Sequence, residues 1–148
     1  MGDGLPNIPI EKVRIREPVR IREGTPLLEV VLAMKAGRRG NAVIEDGGGR
    51  ITGILTERDL LARLDHRSQA WQDMPVDEVM VRDPRTILVS QYLHEALATM
   101  LFYKFRHLPI VDGDNRVLGI VSIRDIILHV ASQYPQEFLN LPPDPKSE

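Results

Sequence analysis

Apolar and polar residues along this chain follow an order that occurs twice. In the first half, VRIREPVRIRE (13–23) alternates apolar residues with arginine, the period of a strand with one wet face. A helical spacing follows, and the apolar residues on its face are Leu27, Val30, Val31 and Met34. An apolar strand, AVIED (42–46), a turn, GGGR, and a second strand, RITGIL, come next. Thr56 then opens another helix, whose apolar residues include Leu60, Leu61 and Leu64.

The second half repeats this order. An extended stretch surrounds Pro84, and the helix after it carries Leu93, Ala96, Leu97 and Met100 on one face. The strand LPIVD (108–112), the turn GDNR and the strand RVLGIV follow. Ser122 opens the last helix, whose apolar residues include Ile126, Ile127 and Val130. Each half is therefore predicted as strand, helix, strand, strand, helix.

A shift of 66 positions aligns residues 9–64 with 75–130 without a gap, and sixteen of the fifty-six pairs are identical. This agreement indicates a tandem duplication. A three-stranded sheet with helices on one side cannot bury all its apolar faces, whereas two such halves packed together can. We predict an α/β (α+β) fold of two repeated units related by pseudo-twofold symmetry. The predicted segments are an arm at 1–8, repeats at 9–70 and 71–132, and a tail at 133–148.

Composition narrows the class of protein without naming a function. The chain is 43% apolar and 27% charged with a net charge of −2, so it has no global attraction to nucleic acid or anionic membranes. The absence of cysteine excludes disulfides, thiolate metal sites and cysteine nucleophiles. No apolar run approaches the ~18 residues of a membrane span, and MGDGLPNIPI does not resemble a secretory signal. We expect a cytoplasmic protein that needs neither a membrane nor a cofactor.

The turns GILTERD (53–59) and GIVSIRD (119–125) are the strongest candidates for a site. Thr56 or Ser122 with an aspartate three residues later is typical of a helix capping box. The same geometry suits a nucleotide, because free N–H groups at a helix start favour phosphate and a carboxylate matches the two donors of a ribose diol. Arg58 and Arg124 stand one residue before each aspartate and could pair with phosphate. The two interpretations are compatible.

The duplicated half, ending in G-h-h-[ST]-x-x-D and preceded in the second copy by RHLPIVDGDNRVLG, closely resembles the cystathionine β-synthase (CBS) domain. The pair resembles a Bateman module, over about residues 9–132. The resemblance implies a non-catalytic regulatory module that binds an adenosine-containing ligand, such as AMP, ADP, ATP, S-adenosylmethionine or NAD, between the halves. It also implies disc-like homodimers, and an effector protein outside this chain.

The resemblance also implies roles for individual residues. Asp59 and Asp125 would hold ribose, with Thr56 and Ser122 near the sugar-phosphate. Strand residues would line the adenine slot, namely Ala42, Val43 and Ile44 in one half and Leu108, Pro109 and Ile110 in the other. Lys104, Arg106 and His107 would face phosphates, or form a solvated basic edge. The first half departs from this pattern at Asn41, Val43 and Glu45. We therefore expect two unequal sites, of which the second is favoured.

Alternatives to a ligand sensor remain at this level. The chain could be an interaction or scaffold module with vestigial clefts. Arginines at 14, 16, 20 and 22 could bind nucleic acid, although alternating arginine also protects an edge strand from aggregation. Catalysis has little support, since GGGRITG is better interpreted as a hairpin turn and no nucleophile motif or phosphate-binding loop occurs. His66, His94, His107 and His129 show no metal-ligand spacing, so we predict no metal site.

Overall fold

A computed structural model describes residues 7–133. The predictions for the tail, and for all but the end of the N-terminal arm, lie outside these residues. The described part forms seven strands and four α-helices. In chain order they are β1 (Arg20–Arg22), α1 (Leu27–Gly37), β2 (Asn41–Glu45), β3 (Ile51–Thr56), α2 (Glu57–Arg63), β4 (Val81–Arg82), β5 (Ile87–Leu88), α3 (Leu93–Tyr103), β6 (His107–Val111), β7 (Val117–Ser122) and α4 (Ile123–Gln133). None of these helices is long and apolar enough to cross a membrane.

The strands form two mixed sheets, one in each half, with the orders β1-β2-β3-β4 and β5-β6-β7. In both, the first strand runs parallel to the second, and the second pairs with the third in an antiparallel hairpin. The register is conserved between the halves, with Ile44 opposite Gly53 and Ile110 opposite Gly119. The predicted α+β fold and its repeated element order are confirmed.

The beginning of each half lies on the other half. We call residues 8–16 and 74–82 the crossing segments. In the first, Leu93 N–H donates to the Ile8 carbonyl at 2.7 Å, and Arg16 N–H donates to the Ile120 carbonyl at 2.9 Å. In the second, Leu27 N–H donates to the Met74 carbonyl at 2.8 Å, and β4 pairs with β3. Each half therefore places its crossing segment on the other half, and this reciprocal exchange joins the halves in addition to packing.

This exchange corrects the prediction that VRIREPVRIRE is one strand with a wet face. Residues up to Arg16 pair with the second half, whereas β1 of the first half begins only at Arg20. Pro18 is buried between them, and proline lacks the N–H that a continuous strand would donate. The alternation in the sequence therefore spans two short extended pieces that belong to different sheets.

Each half has its own core, completed by the other half's crossing segment. One core contains Ile10, Val13, Ile87, Leu93, Ala96, Met100, Leu108, Ile110, Val121 and Ile126. The other contains Ile21, Leu27, Val30, Met34, Ala42, Ile44, Leu55, Val76, Val79 and Met80. A third cluster joins the sheets and consists of Val43, Ile51, Val111 and Val117. Because Ile10 and Val76 are fully buried in the core of the opposite half, neither half is complete alone.

The glycine that begins each repeated turn is explained by the crossing segments. A Cβ on Gly119 would overlap the side chain of Ile15, and a Cβ on Gly53 would overlap that of Met80. Both obstacles belong to a crossing segment. Each glycine therefore allows a close approach of the exchanged chain to the hairpin, at the point where the strand leads toward the helix start.

Candidate functional site

The first repeated turn forms the capping box that its sequence predicts. Asp59 N–H donates to the Thr56 hydroxyl at 3.3 Å, and Thr56 N–H donates back to the Asp59 carboxylate at 3.0 Å. The other carboxylate oxygen of Asp59 lies 3.9 Å from Arg63 Nε. Asp59 is partly exposed, so this carboxylate is accessible at the surface of the first half.

The second turn shares the bonds between hydroxyl and aspartate, lacks the return bond from the backbone N–H of its first residue, and has one additional partner. Asp125 N–H donates to the Ser122 hydroxyl at 3.0 Å, and that hydroxyl donates to Asp125 Oδ2 at 2.9 Å. Arg16, from the first crossing segment, donates through Nε to Oδ2 at 2.8 Å and through Nη2 to Oδ1 at 2.9 Å. Only 2% of the Asp125 side chain is exposed. The carboxylate of the second turn is thus buried in a bidentate ion pair.

The ion pair controls the protonation of Asp125. Hydrogen bonding from the Arg16 guanidinium holds the pKa of the Asp125 carboxyl below its ordinary value, although burial acts in the opposite direction. The Ser122 hydroxyl adds a smaller effect of the same sign as that of Arg16. Asp125 therefore stays ionised at neutral pH and presents a negative charge to its surroundings.

A cleft of about 480 Å³ lies beside this ion pair and is bounded by both halves. Its lining comprises Arg16, Arg38, Arg39, Gly40, Asn41, Arg106, His107, Ile120, Ser122, Ile123 and Arg124. This volume is in the range of sites that hold small molecules. We refer to it as the α4 cleft, because the start of α4 forms one wall. It contains five arginines and no carboxylate among its lining residues.

His107 lies in this cationic surrounding. Loss of hydration lowers the pKa of its imidazole from the ordinary value, and the charges of Arg106, Arg16 and Arg39 lower it further, against the attraction of Asp125. The imidazole is therefore neutral at pH 7. It can donate one hydrogen bond and accept another without adding to the positive charge of the cleft.

Some of the predicted site residues line the α4 cleft, and others are buried in the protein interior. Arg106, His107, Ser122 and Arg124 line the α4 cleft, and Asp125 lies behind Arg16. The residues predicted to line the adenine slot are buried in both halves, namely Ala42, Val43, Ile44, Leu108, Pro109 and Ile110. Their side chains pack in the protein interior, so a base could reach only exposed edges near them. Their role in binding remains a prediction.

Other predicted residues lie elsewhere. Arg58 and Lys104 are exposed and do not line the α4 cleft. The arginines of the predicted basic edge are divided: Arg16 pairs with Asp125, and Arg20 pairs with Glu17 and Glu45. Arg14 and Arg22 are exposed. The four arginines therefore do not form one stripe of unpaired cations.

Several lining residues were not predicted, above all Arg38 and Arg39. They follow α1 and precede β2, as Lys104 and Phe105 follow α3 and precede β6. The alignment of the two halves therefore could have pointed to Arg38, which corresponds to the predicted basic residue Lys104. A smaller cleft of about 260 Å³ shares these arginines and adds Glu57, the counterpart of Ile123. A carboxylate thus faces the smaller cleft and not the α4 cleft.

A sequence model of the CBS domain matches the chain twice, at residues 10–66 and 76–132. The chain belongs to the CBS domain family. Each matched segment contains one repeated turn, and the crossing segments fall at the beginning of each match. The α4 cleft thus lies between two CBS domains of one chain.

Relatives of this CBS protein differ in length. An uncharacterized 17.7 kDa protein of Acidianus ambivalens is 31% identical over 118 residues, which is 80% of this chain and 70% of the relative. The CBS domain-containing protein CBSCBSPB5 of Arabidopsis thaliana is 29% identical over 77% of this chain, which spans only 21% of that relative.

Solved structures with the same fold include CBS pairs that hold adenosine compounds. The CBS domain protein PAE2072 of Pyrobaculum aerophilum, complexed with AMP, has a TM-score of 0.72 at 27% identity, over 84% of this chain and 99% of that one. The CBS domain pair of MJ0100, in complex with 5′-methylthioadenosine and S-adenosyl-L-methionine, shares the fold with a TM-score of 0.72 at 21% identity, over 86% of this chain and 99% of that one.

Proposed function

We propose that this CBS pair is a regulatory module that binds an adenosine-containing ligand in the α4 cleft and transmits its occupancy to another protein. The observation that carries the proposal is the set of groups that lie at and directly behind the wall of the cleft. Ser122 and buried Asp125 lie at the start of an eleven-residue helix, opposite arginines supplied by the other CBS domain. A carboxylate and a hydroxyl suit a ribose, and arginines suit phosphate.

Binding in this cleft would couple the two CBS domains. Arg38, Arg39 and Gly40 come from the first domain, while Arg106, Ser122 and Arg124 come from the second. A ligand that touches both walls stabilises one relative arrangement of the domains by its differential affinity for that arrangement. This coupling is the signal that we propose for the effector protein.

The test is a thermal unfolding and calorimetric screen of AMP, ADP, ATP, S-adenosylmethionine and NAD. A ligand that binds the folded state raises the melting temperature. At a ligand concentration a hundredfold above Kd, the free energy of unfolding increases by about 2.7 kcal/mol. Asp125→Ala should abolish the effect, whereas Asp59→Ala, the matched change in the first CBS domain, should preserve it. Native mass spectrometry of freshly purified protein checks for ligand that has co-purified.

The rival function is an interaction module whose clefts bind nothing. It is favoured by one observation: Asp125 already accepts two hydrogen bonds from Arg16. If ligand-free protein binds none of the five compounds, the sensor proposal is wrong and this alternative stands.

We further propose that the module dimerises through α3 and α4. These helices pack against each other and leave large apolar side chains exposed, namely Leu101, Phe102, Ile127 and Leu128. Burying such a surface against a second copy would remove it from water. Sedimentation velocity should show a dimer, and a monomer at all concentrations would refute the proposal.

A further inference from the structure

The Arg16–Asp125 ion pair occupies the group that a ribose would need. Asp125 Oδ2 accepts from both Arg16 Nε and the Ser122 hydroxyl, and Oδ1 accepts from Arg16 Nη2. A carboxylate oxygen has two lone pairs, so Oδ2 is saturated and Oδ1 has one remaining acceptor position. A cis-diol that donates two hydrogen bonds to Asp125 must therefore displace either one nitrogen of Arg16 or the Ser122 hydroxyl.

This pairing is specific to one of the two CBS domains. Arg82 is the counterpart of Arg16 in the repeat, yet its Nη2 donates to the Asp77 carbonyl at 3.1 Å. Asp59, the counterpart of Asp125, has Arg63 as its nearest cation, at 3.9 Å. An arginine thus stands at both positions, but only Arg16 forms an ion pair with the aspartate of the repeated turn.

The charge of the α4 cleft determines which ligand can open the pair. Arg16 is 28% exposed and already lines the cleft, so its guanidinium can turn from Asp125 into the open space of the cleft. There it would join Arg38, Arg39, Arg106 and Arg124, with no carboxylate in the lining to balance it. Among the described residues, these four arginines form no ion pair. Release of Arg16 into this surrounding is unfavourable unless the ligand brings negative charge.

We propose that Arg16 exchanges partners when a ligand binds: the ribose hydroxyls replace its guanidinium on Asp125, and Arg16 moves onto the phosphates of the same ligand. The inference rests on the proposed function and names its ligand class, a phosphorylated adenosine. Uncharged adenosine cannot compensate the released guanidinium. S-adenosylmethionine carries a sulfonium and a net positive charge, and is rejected for the same reason. Arg16 is the residue that makes the cleft selective.

Isothermal titration calorimetry of ATP, ADP, adenosine and S-adenosylmethionine tests the exchange. In the wild type, ATP should bind at least tenfold more tightly than adenosine, and S-adenosylmethionine more weakly still. In Arg16→Gln, adenosine should gain about tenfold in affinity, since a charge-assisted bidentate pair no longer competes for Asp125. ATP should gain less or lose affinity, so the ratio of ATP to adenosine affinity falls.

Two further variants serve as controls. Arg82→Gln removes the matching arginine of the other CBS domain and should leave both affinities unchanged. Arg16→Lys retains the charge without the bidentate geometry and should give an intermediate ratio. Circular dichroism at the titration temperature verifies that each variant is folded.

The outcomes separate the two proposals. If no adenosine compound binds the wild type or Arg16→Gln, the proposed function fails. If ATP binds but Arg16→Gln leaves the ratio of ATP to adenosine affinity unchanged, only the exchange fails. Binding of S-adenosylmethionine to the wild type as tight as that of ATP would also overturn the exchange.

Discussion

Among the described glycines, the one in the second repeated turn leaves the least room for a side chain. Gly119 lies in β7 with a backbone conformation open to any residue, so only space restricts it. In Gly119→Ala the new methyl would overlap Cγ2 of Ile15 and lie 3.0 Å from the carbonyl oxygen of Arg16. The same methyl would thus press on the segment that carries the Arg16–Asp125 ion pair.

The structure sets the expected size of this effect. Insertion of a methyl into a filled space costs about 1–3 kcal/mol, and the lower entropy of unfolded alanine returns roughly 0.4–1 kcal/mol. Ile15 is β-branched and stiff, and the other obstacle is backbone, so we expect a net loss of about 2 kcal/mol. Gly53→Ala is the matched control. Its obstacle is the flexible side chain of Met80, and we expect a loss of about 1 kcal/mol or less.

Urea unfolding followed by circular dichroism measures both variants. In thermal unfolding, a loss of about 2 kcal/mol should lower the melting temperature by roughly 4–8 °C in a chain of this size. Ile15→Ala combined with Gly119→Ala completes a double-mutant cycle, in which the truncated side chain makes room for the methyl. We expect a favourable coupling of about 1 kcal/mol between the two changes.

Three results would refute this reasoning. Gly119→Ala could unfold at the same urea concentration as the wild type. Gly53→Ala could be the more damaging change. The cycle could show no coupling between positions 15 and 119, which would mean that the crossing segment is not what the glycine accommodates.

Three further predictions follow from ion pairing, protonation and surface apolarity. Because the pKa of Asp125 is lowered in the folded state, its ionised form stabilises the fold above about pH 4, and this stabilisation is lost as the pH falls through the lowered pKa. The free energy of unfolding should therefore fall less steeply with decreasing pH in Asp125→Asn than in the wild type. His107 is neutral at pH 7 among Arg16, Arg39, Arg106 and Asp125, and a bound phosphate should raise its pKa. The affinity for ATP, measured by calorimetry, should then increase from pH 7.5 to pH 6. His107→Gln should lose this increase. Phe102 is 78% exposed on α3, so Phe102→Ser should shift sedimentation toward monomer without lowering the melting temperature of the monomer, whereas an unchanged dimer would exclude this face as the interface.

Local patterns were sufficient to predict the helices and the hairpin strands, and the reason is physical. The gapless shift between the halves transfers every period and turn from one copy to the other, and Thr56 with Asp59 forms a cap from its own four residues. The same information cannot show which sheet a strand joins. The alternation at 13–23 specifies one wet face in either sheet, so the exchange of the crossing segments was not predicted.

The site was predictable to the same extent. Ser122 and Asp125 were found because their chemistry is contained in one turn. The partner of Asp125 was not, since Arg16 lies 109 residues away and reaches it only through the exchange. The prediction favoured the second copy as the site, and the structure shows that this copy is the one whose carboxylate is occupied by an arginine.

Reciprocal crossing segments also bear on how such a chain folds and how it could have arisen. Ile10 and Gln91 must meet before the core of the second half is closed, so this step of folding joins distant parts of the chain and is expected to be slow. An isolated half would lack the buried residues that the other half supplies, and two identical halves could supply them to each other. A single-repeat ancestor is thus expected to have been a segment-swapped homodimer. Duplication would have joined its two subunits in one polypeptide and freed their sites to diverge, as the different partners of Arg16 and Arg82 illustrate.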